Sequence, residues 1–156
     1  MHLFKIISYI YNKMKIVRNF IDFKRGQDPK DAMQTGFDNA IHEWLSDMNI
    51  TEYKISEDFI ISAFQNVDLS GKKLLSIPYK FSEVTGGFYC SHNKLKTLEN
   101  TPDIIHNGSF ICANNLIKSL IGGPSIVDGY YVVSNNKLTS LDGIAKNIQG
   151  TLAIDN

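Results

Sequence analysis

The C-terminal half of the chain repeats itself, and that limits the folds open to it more than any other feature. The segment Phe88-Tyr89-Cys90-Ser91-His92-Asn93-Lys94-Leu95-Lys96-Thr97-Leu98 aligns with Phe110 to Leu120 and again with Tyr131 to Leu141. Each copy reads apolar, any, apolar, two spacers, Asn, any, apolar, two spacers, Leu. The first step is 22 residues and the second 21, because Asn107 is one extra residue ahead of Gly108. A period of this size is the signature of a solenoid, in which each unit buries its apolar face only against its neighbours. Such an array offers a surface for binding rather than a deep pocket for chemistry.

The register extends beyond the three clear copies. Val67, Leu69, Leu74 and Ile77 stand 21 residues before Phe88, Cys90, Leu95 and Leu98, with Lys72 in place of the Asn. Leu152 and Ile154 stand 21 residues after Tyr131 and Val133, and the sequence stops at Asn156 in mid-repeat. The expectation is four right-handed coils of about 21 residues from residue 66 onward, joined in a parallel sheet. An open C-terminal edge of that kind is a route to dimerisation. Within a repeat, Phe88 and Cys90 lie two apart and so share one face of a short strand, the interior one. The Asn ends the strand, and its amide can satisfy backbone groups at the bend. Leu95 and Leu98 carry the chain back over the core. Pro102 and Pro124 oppose a helix there, so extended or 3₁₀ segments are expected on the back. Gly86, Gly108, Gly129 and Gly150 mark a tight corner before each strand.

These repeats resemble the leucine-rich repeat, whose core is L-x-x-L-x-L-x-x-N-x-L, from the strand through Asn93, Asn115 and Asn136 to the second Leu. They depart from it in using Phe, Cys, Tyr and Val in the strand and in placing Val-x-Gly or Ile-x-Gly ahead of it. That variant looks like repeats in proteins of large tailed bacteriophages. The run Phe23-Lys24-Arg25-Gly26-x-Asp28-Pro29, followed by a helix containing Trp44, resembles the segment that precedes such repeats there. The resemblance implies an α+β fold, a short leucine-rich-repeat solenoid over 66–156 behind an N-terminal cap over 1–65. It also implies a viral protein that acts on a host protein in the bacterial cytoplasm, for example by blocking an immune factor.

The cap is expected to hold two helices and a hairpin. Residues 1–26 carry Lys5, Lys13, Lys15, Arg18, Lys24 and Arg25 against Asp22 alone, interleaved with apolar side chains. No apolar run there reaches the ~18 residues that a membrane span needs, and no small-residue cleavage site suggests a secretory signal. A basic, apolar helix over residues 1–23 can cover one end of a solenoid, dock on a partner or lie on an anionic membrane. Met14 offers a second possible start. Asp28-Pro29 reads as an N-cap and first helical residue. Met33, Phe37, Ala40, Ile41, Trp44, Leu45 and Met48 then mark an amphipathic helix ending near Asn49. Tyr53, Ile55, Phe59 and Ile61 suggest a hairpin around Ser56-Glu57-Asp58 that covers the edge of the first repeat.

Motifs that carry chemistry are not evident. Gly86-Gly87 and Gly122-Gly123 are repeat corners rather than a phosphate-cradling loop. His42-Glu43 lacks the second histidine of a zinc-binding helix, and His92 and His106 fall at non-equivalent repeat positions. Serines 91, 109 and 134 lie outside any nucleophile elbow. Cys90 and Cys112 share an interior column and read as stacked thiols, with a disulfide or metal site as the alternative. The expectation is no catalytic residue, no metal and no cofactor. Sixteen basic and sixteen acidic side chains balance, which argues against nucleic acid as a general partner.

What remains is a surface. With Phe88 and Cys90 inward, the alternate row Asp68, Tyr89, Ile111, Val132 and Ala153 faces out. It is flanked by Asn66, Gly87, Ser109, Tyr130 and Thr151 on one side and by Ser70, Ser91, Ala113, Ser134 and Asp155 on the other. Tyr89, Ile111, Tyr130 and Val132 together form an apolar, aromatic patch on the expected concave face, the candidate site for a protein partner.

Overall fold

A computed structural model describes the backbone of residues 29–154 and the side chains from residue 34 onward. The helix expected over the first 26 residues, the Asp28 cap and Asp155 lie outside this range. The chain divides into two compact units, Met1–Ala40 and Ile41–Asn156. Of the first, only the opening part of helix α1 is described.

Helix α1 runs Pro29–Asp47, so Pro29 takes the first helical position, where its missing N–H costs nothing. The helix ends in a Schellman turn. The Asn49 N–H donates to the Ser46 carbonyl and the Ile50 N–H to the Leu45 carbonyl, while Asn49 adopts φ 57°. Leu45 and Ile50, which close that turn, are both buried. In the second unit Ile41 and Leu45 are the helix's buried residues, and Trp44 is half-buried against Tyr79 and Phe81.

The hairpin forms where the sequence places it. Strand β1 (Tyr53–Ile55) pairs antiparallel with β2 (Ile61–Ala63). Strand β2 covers the edge of the first repeat, as expected, along the segment that contains Val84. It pairs in parallel with β4 (Phe81–Thr85) and so opens a sheet of its own. That sheet continues through β6 (Ile104–His106), β8 (Ile126–Val127) and β10 (Asn147–Ile148). The expected sheet is also present: β3 (Val67–Asp68), β5 (Phe88–Tyr89), β7 (Phe110–Ile111), β9 (Tyr131–Val132) and β11 (Leu152–Ala153) pair in parallel. The second unit is therefore a β-solenoid of about four turns with two sheets, parallel apart from β1, where one was expected. The Val-x-Gly segments are strands in their own right. Ala63, Val84, Ile105, Val127 and Ile148 stack in register along the second sheet. A β-bulge at Ser82, where Ile61 opposes Phe81 and Ser62 opposes Glu83, lets both Phe81 and Val84 reach the core.

Between the sheets, each coil turns on an asparagine. The Asn115 Nδ2 donates to the Cys90 carbonyl of the preceding coil at 3.0 Å and to its own coil's Cys112 carbonyl at 3.4 Å. Its Oδ1 accepts from the Leu95 N–H at 3.0 Å. Asn93 and Asn136 repeat this pattern one coil back and one coil on. The residue ahead of each is left-handed, as is Gly71 ahead of Lys72: Gly71, His92, Asn114 and Asn135 have φ between 53° and 66°. Lys72 departs from the motif because no earlier coil offers groups for an amide to bridge. The opposite corner is a stack of glycines. A Cβ on Gly108 would lie 2.2 Å from the Gly86 carbonyl carbon, and one on Gly150 would lie 2.7 Å from that of Gly129.

The core is an aromatic column. Trp44 meets Phe81 edge-on, Phe81 meets Phe88 at 5.4 Å, Phe88 stacks on Phe110 at 6.2 Å, and Phe110 meets Tyr131 at 5.1 Å. Leu141 and Leu152, expected to be interior, are 48% and 40% exposed, because no described coil stacks beyond β10 and β11. The Tyr131 hydroxyl is buried without a hydrogen-bond partner. A buried, unpaired hydroxyl costs ~1–3 kcal/mol, so Tyr131→Phe should stabilise the protein by about 1 kcal/mol in denaturant melts. Phe110→Ala should cost roughly 3–5 kcal/mol and Tyr89→Ala much less. Equal losses at Phe110 and Tyr89 would contradict the assignment of faces.

Candidate functional site

The outward face of the five-stranded sheet carries the expected row. Tyr89 pairs with Ile111 and Ile111 with Val132, while Asp68 and Ala153 occupy the two ends. The row is held by ladder bonds on either side of it. The Leu69, Cys90 and Cys112 amides donate to the carbonyls of Tyr89, Ile111 and Val132 at 2.7, 2.8 and 2.8 Å. Tyr89, Ile111 and Val132 are all half-buried. Their positions are fixed by the backbone, so the row is presented without the ordering cost that a loop would incur on binding.

Tyr130 sits differently. It precedes β9 at the corner, 57% exposed, and its N–H donates to the Ser109 Oγ at 2.9 Å. Tyr89 leans back along its own coil. A Cβ built on Gly87 would fall 2.1 Å from the Tyr89 hydroxyl, so the phenol lies across the bare α-carbon of Gly87. Gly87 and Tyr130 are equivalent repeat positions. One coil thus fills the corner with a ring folded back from the strand, and the other with a ring projecting from the corner itself. The rings are two strand steps apart, roughly 10 Å, with Ile111 and Val132 beside them. The flanking rows are small: Ser91 is buried, Ala113 and Ser134 are half-buried, and the Ser91 Oγ accepts from the Ala113 N–H at 3.1 Å. A low apolar ridge between small polar neighbours suits contact with another protein surface more than enclosure of a small molecule.

The structure separates the groups considered for chemistry. His92 lies at the asparagine turn, and His106 lies on the six-stranded sheet beside Glu83, 3.5 Å away. Among the described residues, no three His, Cys, Asp or Glu side chains gather as a metal site would require. No described helix is long and apolar enough to cross a membrane. No family model matches the chain, and comparisons with curated proteins and with solved structures find no match either.

Cys90 and Cys112 are free thiols in one buried column, as the repeat register implies. Burial pushes the Cys90 thiol well above the usual range, and the neighbouring Cys112 adds to the effect through a hydrogen bond and its charge. Burial likewise raises the Tyr131 phenol, with smaller contributions from Cys112 and Cys90. Both groups stay protonated in the folded protein at a pH where the unfolded chain releases them. The stability they contribute is complete below the unfolded thiol pKa of about 8.5 and falls as pH rises past it. The melting temperature should therefore drop from about pH 8.5 upward, and again above the ordinary tyrosine pKa of about 10. In Cys90→Ala the first part of that drop should be shallower, which scanning calorimetry across the alkaline range would measure.

Proposed function

We propose that the protein is a non-enzymatic protein-binding module whose contact surface is Tyr89, Ile111, Tyr130 and Val132. The observation that carries this reading is the column Tyr89–Ile111–Val132, locked in register on the outward face of a rigid sheet and joined by an exposed tyrosine at its edge. Tyrosine beside aliphatic side chains is the composition favoured at the centre of protein interfaces. The solenoid is read as a leucine-rich-repeat-like scaffold. This rests on the strand–Asn–Leu pattern and on the amide ladder that the pattern builds, since such scaffolds serve mainly in recognition. The likeness of these repeats to those of large tailed phages favours a host protein in the bacterial cytoplasm as the partner, an immune factor being one case.

A second reading assigns residues 1–23 a peripheral membrane anchor, supported by their excess of basic over acidic residues among apolar ones. Flotation with anionic liposomes separates the two. Loss of flotation on deleting residues 1–13 would favour the anchor.

On the leading reading, affinity capture from host lysate yields a partner. Calorimetry should then show Tyr89→Ala or Tyr130→Ala weakening it by ~2 kcal/mol or more, about thirtyfold. The melting temperature should stay nearly constant, because neither ring is in the core. A folded double variant with unaltered affinity would refute this contact surface.

A further inference from the structure

The asparagine turn and the segment that follows it carry lysine and no acid. From Leu69 to Ile77, Cys90 to Leu98, Cys112 to Leu120 and Val133 to Leu141 there is no Asp or Glu, while Lys72, Lys73, Lys94, Lys96, Lys118 and Lys137 all fall within them. All six are exposed, and none forms an ion pair with a described residue. Among the described residues the repeat's acids lie elsewhere, at Asp68, Glu83, Glu99, Asp103, Asp128 and Asp142, and Asp103 takes Lys80 at 2.7 Å.

Backbone bonds hold this edge in register from coil to coil. Amides of Lys94, Leu116 and Lys137 donate to the carbonyls of Leu74, Leu95 and Ile117 at 2.8–2.9 Å. Two outward columns result: Lys73, Lys94, Leu116, Lys137 and, two residues on, Leu75, Lys96, Lys118, Thr139. Coils stack about 4.8 Å apart, so Lys73 with Lys94 and Lys96 with Lys118 are like charges on adjacent rungs, an arrangement that costs stability. A face serving only solubility would intersperse the two signs. Among the lysines stand two exposed leucines, Leu75 at 67% and Leu116 at 39%. Leu116 lines a depression of about 410 Å³ with Lys96, Lys118 and Lys137.

We propose that this edge is a second binding surface, for an acidic protein segment that lays carboxylates along the lysine columns and an apolar side chain against Leu116. Charge complementarity sets the sign of the partner. The leucines favour a peptide over a nucleic acid, because the two columns hold no aromatic ring or arginine on which bases could stack. The site is distinct from the tyrosine ridge and does not depend on it.

The test is fluorescence anisotropy with a short labelled peptide that carries Glu at alternate positions and one central Leu. Its controls are the same peptide with Gln for Glu, and a thymidine oligonucleotide of equal charge. The Glu peptide should bind at low salt, weaken as salt rises and bind better than either control. Lys96→Glu/Lys118→Glu should weaken it by about tenfold or more and Leu116→Gln by less, while Tyr89→Ala/Tyr130→Ala should leave it unchanged. Lys96→Gln/Lys118→Gln should lose binding yet melt no lower than the parent, because it relieves repulsion. Absence of binding at low salt, an oligonucleotide that binds as tightly as the Glu peptide, or equal weakening by the tyrosine variants would overturn the proposal.

Discussion

The amide of each turn asparagine bridges two coils, and much of the solenoid depends on that bridge. One side chain closes its own bend and fastens it to the carbonyl and N–H of the coil before, as Asn115 does with Cys90 and Leu95. The buried Leu95 N–H would otherwise be unpaired, and the Cys90 carbonyl accepts from both Asn115 and the Asn93 of its own coil. Because the amide sets the spacing and register of successive bends, it also aligns what lies on either side of them: the Phe88–Phe110–Tyr131 column inside, and both surface columns outside. Neither the tyrosine ridge nor the lysine edge exists in a single coil. Each is made by translation along the stack.

Much of this was legible in the sequence where one residue type recurs for one physical reason. The interior strand positions, the asparagines and the corner glycines each have a role that few other residues can fill, so they stood out at a constant step. The second sheet was not legible. Strands such as Ile126–Val127 bury one side chain each, too few to show an alternation, and the glycine after them reads as a loop. The hairpin and its place at the first repeat's edge were legible, but not the sheet it opens. Phe81 and Val84 are three apart, a spacing that fits no strand, and only the bulge at Ser82 brings both inward.

The candidate ridge followed from alternation alone, and the in-register pairing of Tyr89, Ile111 and Val132 supports its geometry. The lean of Tyr89 toward Gly87 did not follow, because it depends on Gly87 leaving a bare backbone for a ring to cover. The lysine edge was hidden by arithmetic. A chain with zero formal net charge looks electrostatically neutral, yet its signs are sorted by position within the coil. Separated by about 21 residues in sequence, these lysines become neighbours only once the coils are stacked.

Asn107 shows how the array absorbs irregularity. The residue is an insertion, yet Phe88 still opposes Phe110, and Ile105 still opposes Val127. The chain takes up the added length by turning left-handed at φ 56°, and the Asp128 carboxylate accepts the amide thus exposed. The corner between the two sheets is therefore an expansion joint. Length can change there without moving either the core or the faces, so a loop introduced at this point would be carried as cargo while the scaffold beneath it kept its pitch.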